Sequence, residues 1–66
     1  MKSDPSTIYN MYNAEELAVL LSVSKVTIYR LIETRKIPFY KIKGCIRFAE
    51  PDIEKYLEEN RIGSEN

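Results

Sequence analysis

The residues with the clearest chemical use in this chain are its cations, and they are bunched. Lys25, Arg30, Arg35, Lys36, Lys41, Lys43 and Arg47 stand against one acid, Glu33, giving residues 24–48 a net charge of +6. Residues 1–23 carry −2 and residues 49–66 carry −4, so the chain as a whole is neutral. Zero net charge argues against a nucleic-acid ligand, yet a segregated basic block is the electrostatic footprint of a phosphate-binding face. The competing reading is a solvated surface with incidental clustering, and charge alone leaves the two level. Other chemistries have less behind them. With no histidine and the single Cys45, a Cys/His zinc site and an internal disulfide are both excluded. No Ser/Lys or carboxylate pair falls at catalytic spacing, and so small a domain has little room for a pocket, so neither an enzyme nor a cofactor is expected.

The elements that must position these cations centre on residues 17–32. Leu17, Ala18, Leu20 and Leu21 fall at helical spacing as the buried side of a first helix, a short polar break holding Val23 follows, and Ile28, Leu31 and Ile32 resume the spacing as the inner face of a second, with Val23 below it. Asn13 caps the first helix with Glu16 three residues on, a capping-box pattern, and the helix stops near Ser22. Ser24 caps the second. On its helical wheel Val26, Arg30 and Glu33 point away from the apolar face, with Thr27 to one side. Lys25 sits in the first turn, where the helix dipole disfavours a cation. That placement suits a helix front that approaches an anion, and it suits an ordinary surface lysine equally. Two helices so closely linked, with the small Ala18 at their crossing, describe a helix-turn-helix.

Ile37-Pro38 ends the second helix. Phe39–Ile42 and Cys45–Phe48 are β-prone runs around Lys43-Gly44, hence a hairpin. A three-residue loop pairs Ile42 with Ile46 and Tyr40 with Phe48 on one apolar face and leaves Phe39, Lys41 and Arg47 opposite. A two-residue loop pairs Ile42 with Cys45 and mixes the faces. The first is preferred because one buried face pins register. Pro51 starts a last helix with Ile53, Tyr56 and Leu57 inward. The expected organisation is a flexible arm over residues 1–11, one domain over 12–60 and a flexible tail over 61–66. The chain buries only about 60% of its unfolded surface, as expected of a domain of this size. No apolar run is long enough for a membrane span or a signal peptide, so the expectation is a cytoplasmic protein with no membrane contact.

The order helix, turn, helix, two-stranded wing, helix resembles the small winged-helix domains of the excisionase type, related to the DNA-binding domains of the MerR regulators. The matching pieces are Glu16-Leu17-Ala18, Val23-Ser24, Thr27 to Ile32, Ile37-Pro38, Lys41-Ile42, Arg47-Phe48, Asp52-Ile53 and Tyr56-Leu57. Their joint spacing carries the match over residues 12–59. Two positions depart from it: Ser22 and Arg35 stand where the family usually has glycine. A left-handed residue other than glycine costs about 1 kcal/mol, so either the backbone differs locally or Arg35 accepts the strain and adds a phosphate contact.

The resemblance implies a mostly α winged helix-turn-helix with a small β-hairpin, its second helix in the major groove of double-stranded DNA. Ser24, Lys25, Val26, Thr27 and Arg30 would face the DNA, with Lys36 beside Arg35 and with Lys41, Lys43 and Arg47 charging the wing. Arg30 is the best base reader, because its planar fork spans guanine O6 and N7, and Val26 suits a thymine methyl. Thr27 serves equally as a cap, and Arg47 has a rival role behind DNA contact, as a packed strand residue paired to an acid of the last helix. Tyr29, Tyr40 and Tyr56 read as core or core-edge aromatics, and Cys45 as an inert wing residue rather than a redox sensor. A single such module buries on the order of 600–1,000 Å² on DNA. The resemblance accordingly implies self-association on repeated sites, DNA bending and recruitment of an integrase or recombinase, in DNA recombination or in transcription regulation of a mobile element. The rival is a protein-interaction module on the same fold, an anti-repressor or assembly adaptor, favoured by the neutral charge and the acidic last helix.

Overall fold

The structure is a computed structural model, and it describes residues 9–63. The elements run β1 (Met11–Tyr12), α1 (Ala14–Leu21), α2 (Lys25–Glu33), β2 (Tyr40–Ile42), β3 (Cys45–Ala49) and α3 (Glu50–Glu59). This is the expected mostly α winged helix-turn-helix with its small hairpin. Most of the expected arm, residues 1–8, and the end of the expected tail, residues 64–66, lie outside the described residues. Met11 departs from the arm: it pairs with Ala49 while Tyr12 pairs with Phe48, and the Asn10 carbonyl accepts from the Glu50 N–H at 3.0 Å. The hairpin therefore gains a third strand, in the order β1-β3-β2.

Local chemistry sets the helix boundaries. At the start of α1 the Asn13 side chain accepts from the Glu16 N–H at 2.7 Å, and the Glu16 carboxylate accepts from the Asn13 N–H at 2.9 Å, the reciprocal pair of a capping box. Ser24 Oγ accepts from the Thr27 N–H at 3.2 Å and caps α2. Both helices then end in the same way. The N–H groups of Ser22 and Val23 reach back to the carbonyls of Val19 and Ala18, and those of Arg35 and Lys36 reach back to Ile32 and Leu31. These are the nested bonds of a Schellman ending, which needs a left-handed residue. Ser22 has φ 58° and Arg35 has φ 54°. Of the two alternatives for Arg35, the structure takes the strained one: the non-glycine residues adopt the left-handed backbone.

The core is one cluster. Leu17, Ile28, Ile37 and Phe48 are each fully buried, with Ala18 and Ile53 beside them. Each large side chain contributes about 1.5–3 kcal/mol on burial. Several expected core positions are corrected. Leu20, on the outer side of α1, is 53% exposed, Val23 lies in the open turn, and Leu57 is exposed on α3. Ile37 goes the other way. The left-handed turn at Arg35 reverses the chain and buries Ile37 two residues later.

The hairpin register is also corrected. Ile42 pairs with Cys45, Lys41 with Ile46 and Tyr40 with Arg47, so the loop has two residues, not three. The reason lies in the turn. Lys43 at φ 51° and Gly44 at φ 82° are both left-handed, the form of two-residue turn whose twist matches a hairpin. Turn geometry outranks face purity here because β2 is wholly exposed, while β3 buries Phe48 and Ala49 and half-buries both Ile46 and Arg47. Phe39, expected on the outer side, packs edge-on against Phe48 with ring centroids 6.2 Å apart.

Two stability predictions follow from this packing. Phe48→Ala removes the largest fully buried side chain and should cost about 3–5 kcal/mol, seen as loss of the cooperative transition in urea or a large fall in its midpoint. Ser22→Gly should raise stability by about 0.5–1 kcal/mol, because relief of left-handed strain exceeds the added chain entropy. Its signature is a higher urea midpoint at an unchanged slope.

Candidate nucleic-acid interface

The outer side of α2 is one continuous stripe. Lys25, Val26, Tyr29, Arg30 and Glu33 are all exposed, and at 100° per residue they span an arc of about 140°. Ile28 lies fully buried on the opposite side, and Leu31 and Ile32 are half-buried against the core. Arg30 has no acid partner for its guanidinium among the described residues, and Val26 is 58% exposed. Thr27 is half-buried, and its hydroxyl lies 3.1 Å from that of Ser24. Both hydroxyls are thus drawn into the capping of α2, the role the sequence left level with a phosphate contact.

A shallow cleft runs between the start of α1, the stripe of α2 and the wing. Glu15, Tyr29, Cys45 and Arg47 line it, with Asn13, Ala14, Ile32 and Ile46. Arg47 is half-buried, and its guanidinium donates to the Ile46 carbonyl at 2.8 Å. The pairing of Arg47 with an acid of the last helix is not made: the described ion pair of this region is elsewhere. Lys41 and Lys43 stand exposed on the wing, Lys43 in the turn itself. Arg35 and Lys36 line a different groove, against α3, together with Phe39, Asp52, Lys55, Tyr56 and Glu59. The Arg35 guanidinium lies 5.9 Å from the centre of the Phe39 ring, a cation–π arrangement. The ten expected site residues therefore fall into two groups, eight on α2 and the wing and two on the α3 side.

Two residues of the cleft escaped the sequence reading. Tyr29 is 48% exposed rather than at the core edge, as is Tyr40 at 46%, whereas Tyr56 is half-buried as expected. The signal for Tyr29 was present: it follows Lys25 by four and Val26 by three, which puts all three on one side. Glu15 had no such signal. Its carboxylate Oε2 lies 2.7 Å from Lys25 Nζ across the break between helices. The hydrogen bond from Lys25, and then its charge, hold the Glu15 carboxyl below the ordinary carboxylate value, and Glu15 raises Lys25 in return. The anion at the front of α2 is thus supplied by the protein itself.

The pair has a measurable titration. Glu15 gives its stabilisation above the ordinary carboxylate range and loses it as pH falls through its own lowered value, and Lys25 loses its share as pH rises through its raised one. Both are solvent-exposed, so the effect on stability is small. In NMR titration the Glu15 carboxyl should titrate below the ordinary carboxylate value, and Lys25→Met should return it toward that value.

The comparisons agree with this geometry. The helix-turn-helix domain family matches residues 11–61. A 51-residue stretch is 39% identical to Uncharacterized protein YvgK of Bacillus subtilis (strain 168), covering 77% of this chain and 17% of that protein. No solved structure matches the chain. On the nested helix endings, the wing and a match from β1 to just beyond α3, the chain belongs to the helix-turn-helix domain family, a DNA-binding family.

Proposed function

We propose that this chain is a non-enzymatic, sequence-specific binder of double-stranded DNA. The observation that carries the reading is the exposed stripe of α2 beside a basic wing. Arg30, unpaired among the described residues, reads a base edge in the major groove, with guanine O6 and N7 as its match. Val26 contacts a thymine methyl, and Ser24, Lys25, Thr27 and Tyr29 lie along the same approach. Lys41, Lys43 and Arg47 bring positive charge to the flanking backbone, where phosphate contacts position the protein without specifying sequence. Arg35 and Lys36 stand apart from this surface, and we leave them out of its centre.

Within this reading the chain acts as an excisionase-like recombination accessory factor or a small transcriptional regulator of a mobile element. Its relation to the MerR regulators, an integrase or recombinase partner and a cytoplasmic location belong to the same proposal. Among the described residues, no helix is long and apolar enough to cross a membrane. A DNA-reading module of a larger protein fits as well, since the matched stretch makes up 17% of the Bacillus relative. Tight binding then requires neighbours: copies on repeated sites or a larger partner.

The test is a fluorescence-anisotropy titration against short duplexes from the flanks of the protein's own gene, at 50 and 200 mM salt. Saturable binding that selects one repeated sequence and weakens steeply with salt is expected. Absence of binding at low salt overturns the reading in favour of a protein-interaction module. Arg30→Ala should cost about 1–3 kcal/mol and relax preference at one base position, while Lys43→Ala should weaken all duplexes alike and reduce the salt slope by about 0.9.

A further inference from the structure

We infer that Glu15 is a positioning residue that restrains Lys25 from indiscriminate phosphate binding, so that the two meet DNA as a neutral pair. The inference rests on the DNA-binding reading above and adds to it a residue that sets the sequence-independent part of the affinity. The geometry is specific to Glu15. The capping box of α1 is completed by Asn13 and Glu16, so Glu15 is not needed to start its own helix. Its carboxylate instead crosses to the first turn of α2, a turn that contains no acid, and holds Lys25 Nζ at 2.7 Å. Both side chains remain open to solvent, at 68% and 47% exposure. Glu15 also lines the cleft shared by Tyr29 and Arg47, on the approach to the stripe of α2.

A carboxylate here is costly for a protein that merely grips phosphate. It repels the backbone and neutralises a cation at the front of the reading helix. Non-specific affinity comes from cations that replace the counterions of phosphates. A lysine already matched to an internal acid contributes little to that term. The pair therefore lowers affinity for every duplex alike and leaves discrimination to contacts with base edges. It also steadies a flexible lysine at the helix front, where an unrestrained ammonium would reach any nearby phosphate.

The experiment compares the full chain with Glu15→Gln, Lys25→Met and the double variant, on the selected duplex and on a scrambled one, from 50 to 200 mM salt. Glu15→Gln should bind the scrambled duplex more tightly at low salt, with a log–log salt slope steeper by about 0.9, the value for one added phosphate contact. Across that range its affinity should then fall by roughly threefold more than that of the unmodified protein. The selected duplex should gain by the same factor, so the ratio of selected to scrambled affinity should hold. In the double variant the gain should vanish, because the cation that Glu15→Gln frees is gone. Far-UV circular dichroism checks the fold, and a merely structural role for Glu15 would not steepen a salt slope. An unchanged slope in Glu15→Gln, or a gain that survives in the double variant, overturns the inference while the DNA reading stands. Failure of the unmodified protein to bind any duplex at 50 mM salt overturns both.

Discussion

A domain of this length has room for one set of fully buried large side chains, and the set converges on Phe48. Leu17 comes from α1, Ile28 from α2, Ile37 from the link after α2 and Ile53 from α3. Phe48 lies on β3, the strand that pairs with both other strands and packs against α1 and α3. The orientation of the wing relative to the helix pair is therefore a packing outcome. Interiors are packed about as densely as organic crystals, so a shift in Phe48 moves the hairpin as a body. The placement of Lys41, Lys43 and Arg47 beside the stripe of α2 depends on a side chain that is itself fully buried.

The link between the helices is held by backbone geometry more than by side-chain contact. Both Schellman endings turn the chain within two residues, and each uses a residue with a Cβ in a left-handed conformation. At Ser22 the turn sets the start of α2 and hence which residues form its outer stripe. At Arg35 the same turn sends Ile37 into the core and leaves the guanidinium on the α3 side, over Phe39. The identity of Arg35 suggested a cation for phosphate, whereas its backbone conformation dictates where that cation goes.

Features that depend on neighbours in sequence were legible from the residues alone. Asn13 with Glu16, and Ser24, marked two helix starts because capping is a local exchange of hydrogen bonds, and Pro51 marked the third to within one residue because its fixed φ suits a first helical turn. Arg30 and Val26 could be placed outward from helical spacing. The hairpin register could not be read from its apolar pattern, because that argument assumes that one face of the hairpin is buried, and β2 has none. The turn at Lys43-Gly44 held the better information. The burial of Ile37 and the Glu15–Lys25 pair were out of reach for a different reason. Each depends on the path of the chain after a left-handed residue, and those residues are not the glycines that announce such a turn.

The exposed β2 strand at the sheet edge has a consequence for the solution behaviour of the protein. One side of β2 bonds to β3, and the other presents open backbone donors and acceptors of the kind that join strands of separate molecules into aggregates. Tyr40 and Ile42 on this strand are about half exposed and would favour such stacking. The strand has only three residues, and Lys41 sits at its middle with Lys43 at the following turn. Brevity and charge are the two defences available to a bare sheet edge. The lysines of the wing thus guard this edge against strand pairing as well as charging its proposed DNA-facing side, and neutralising both would trade one property against the other.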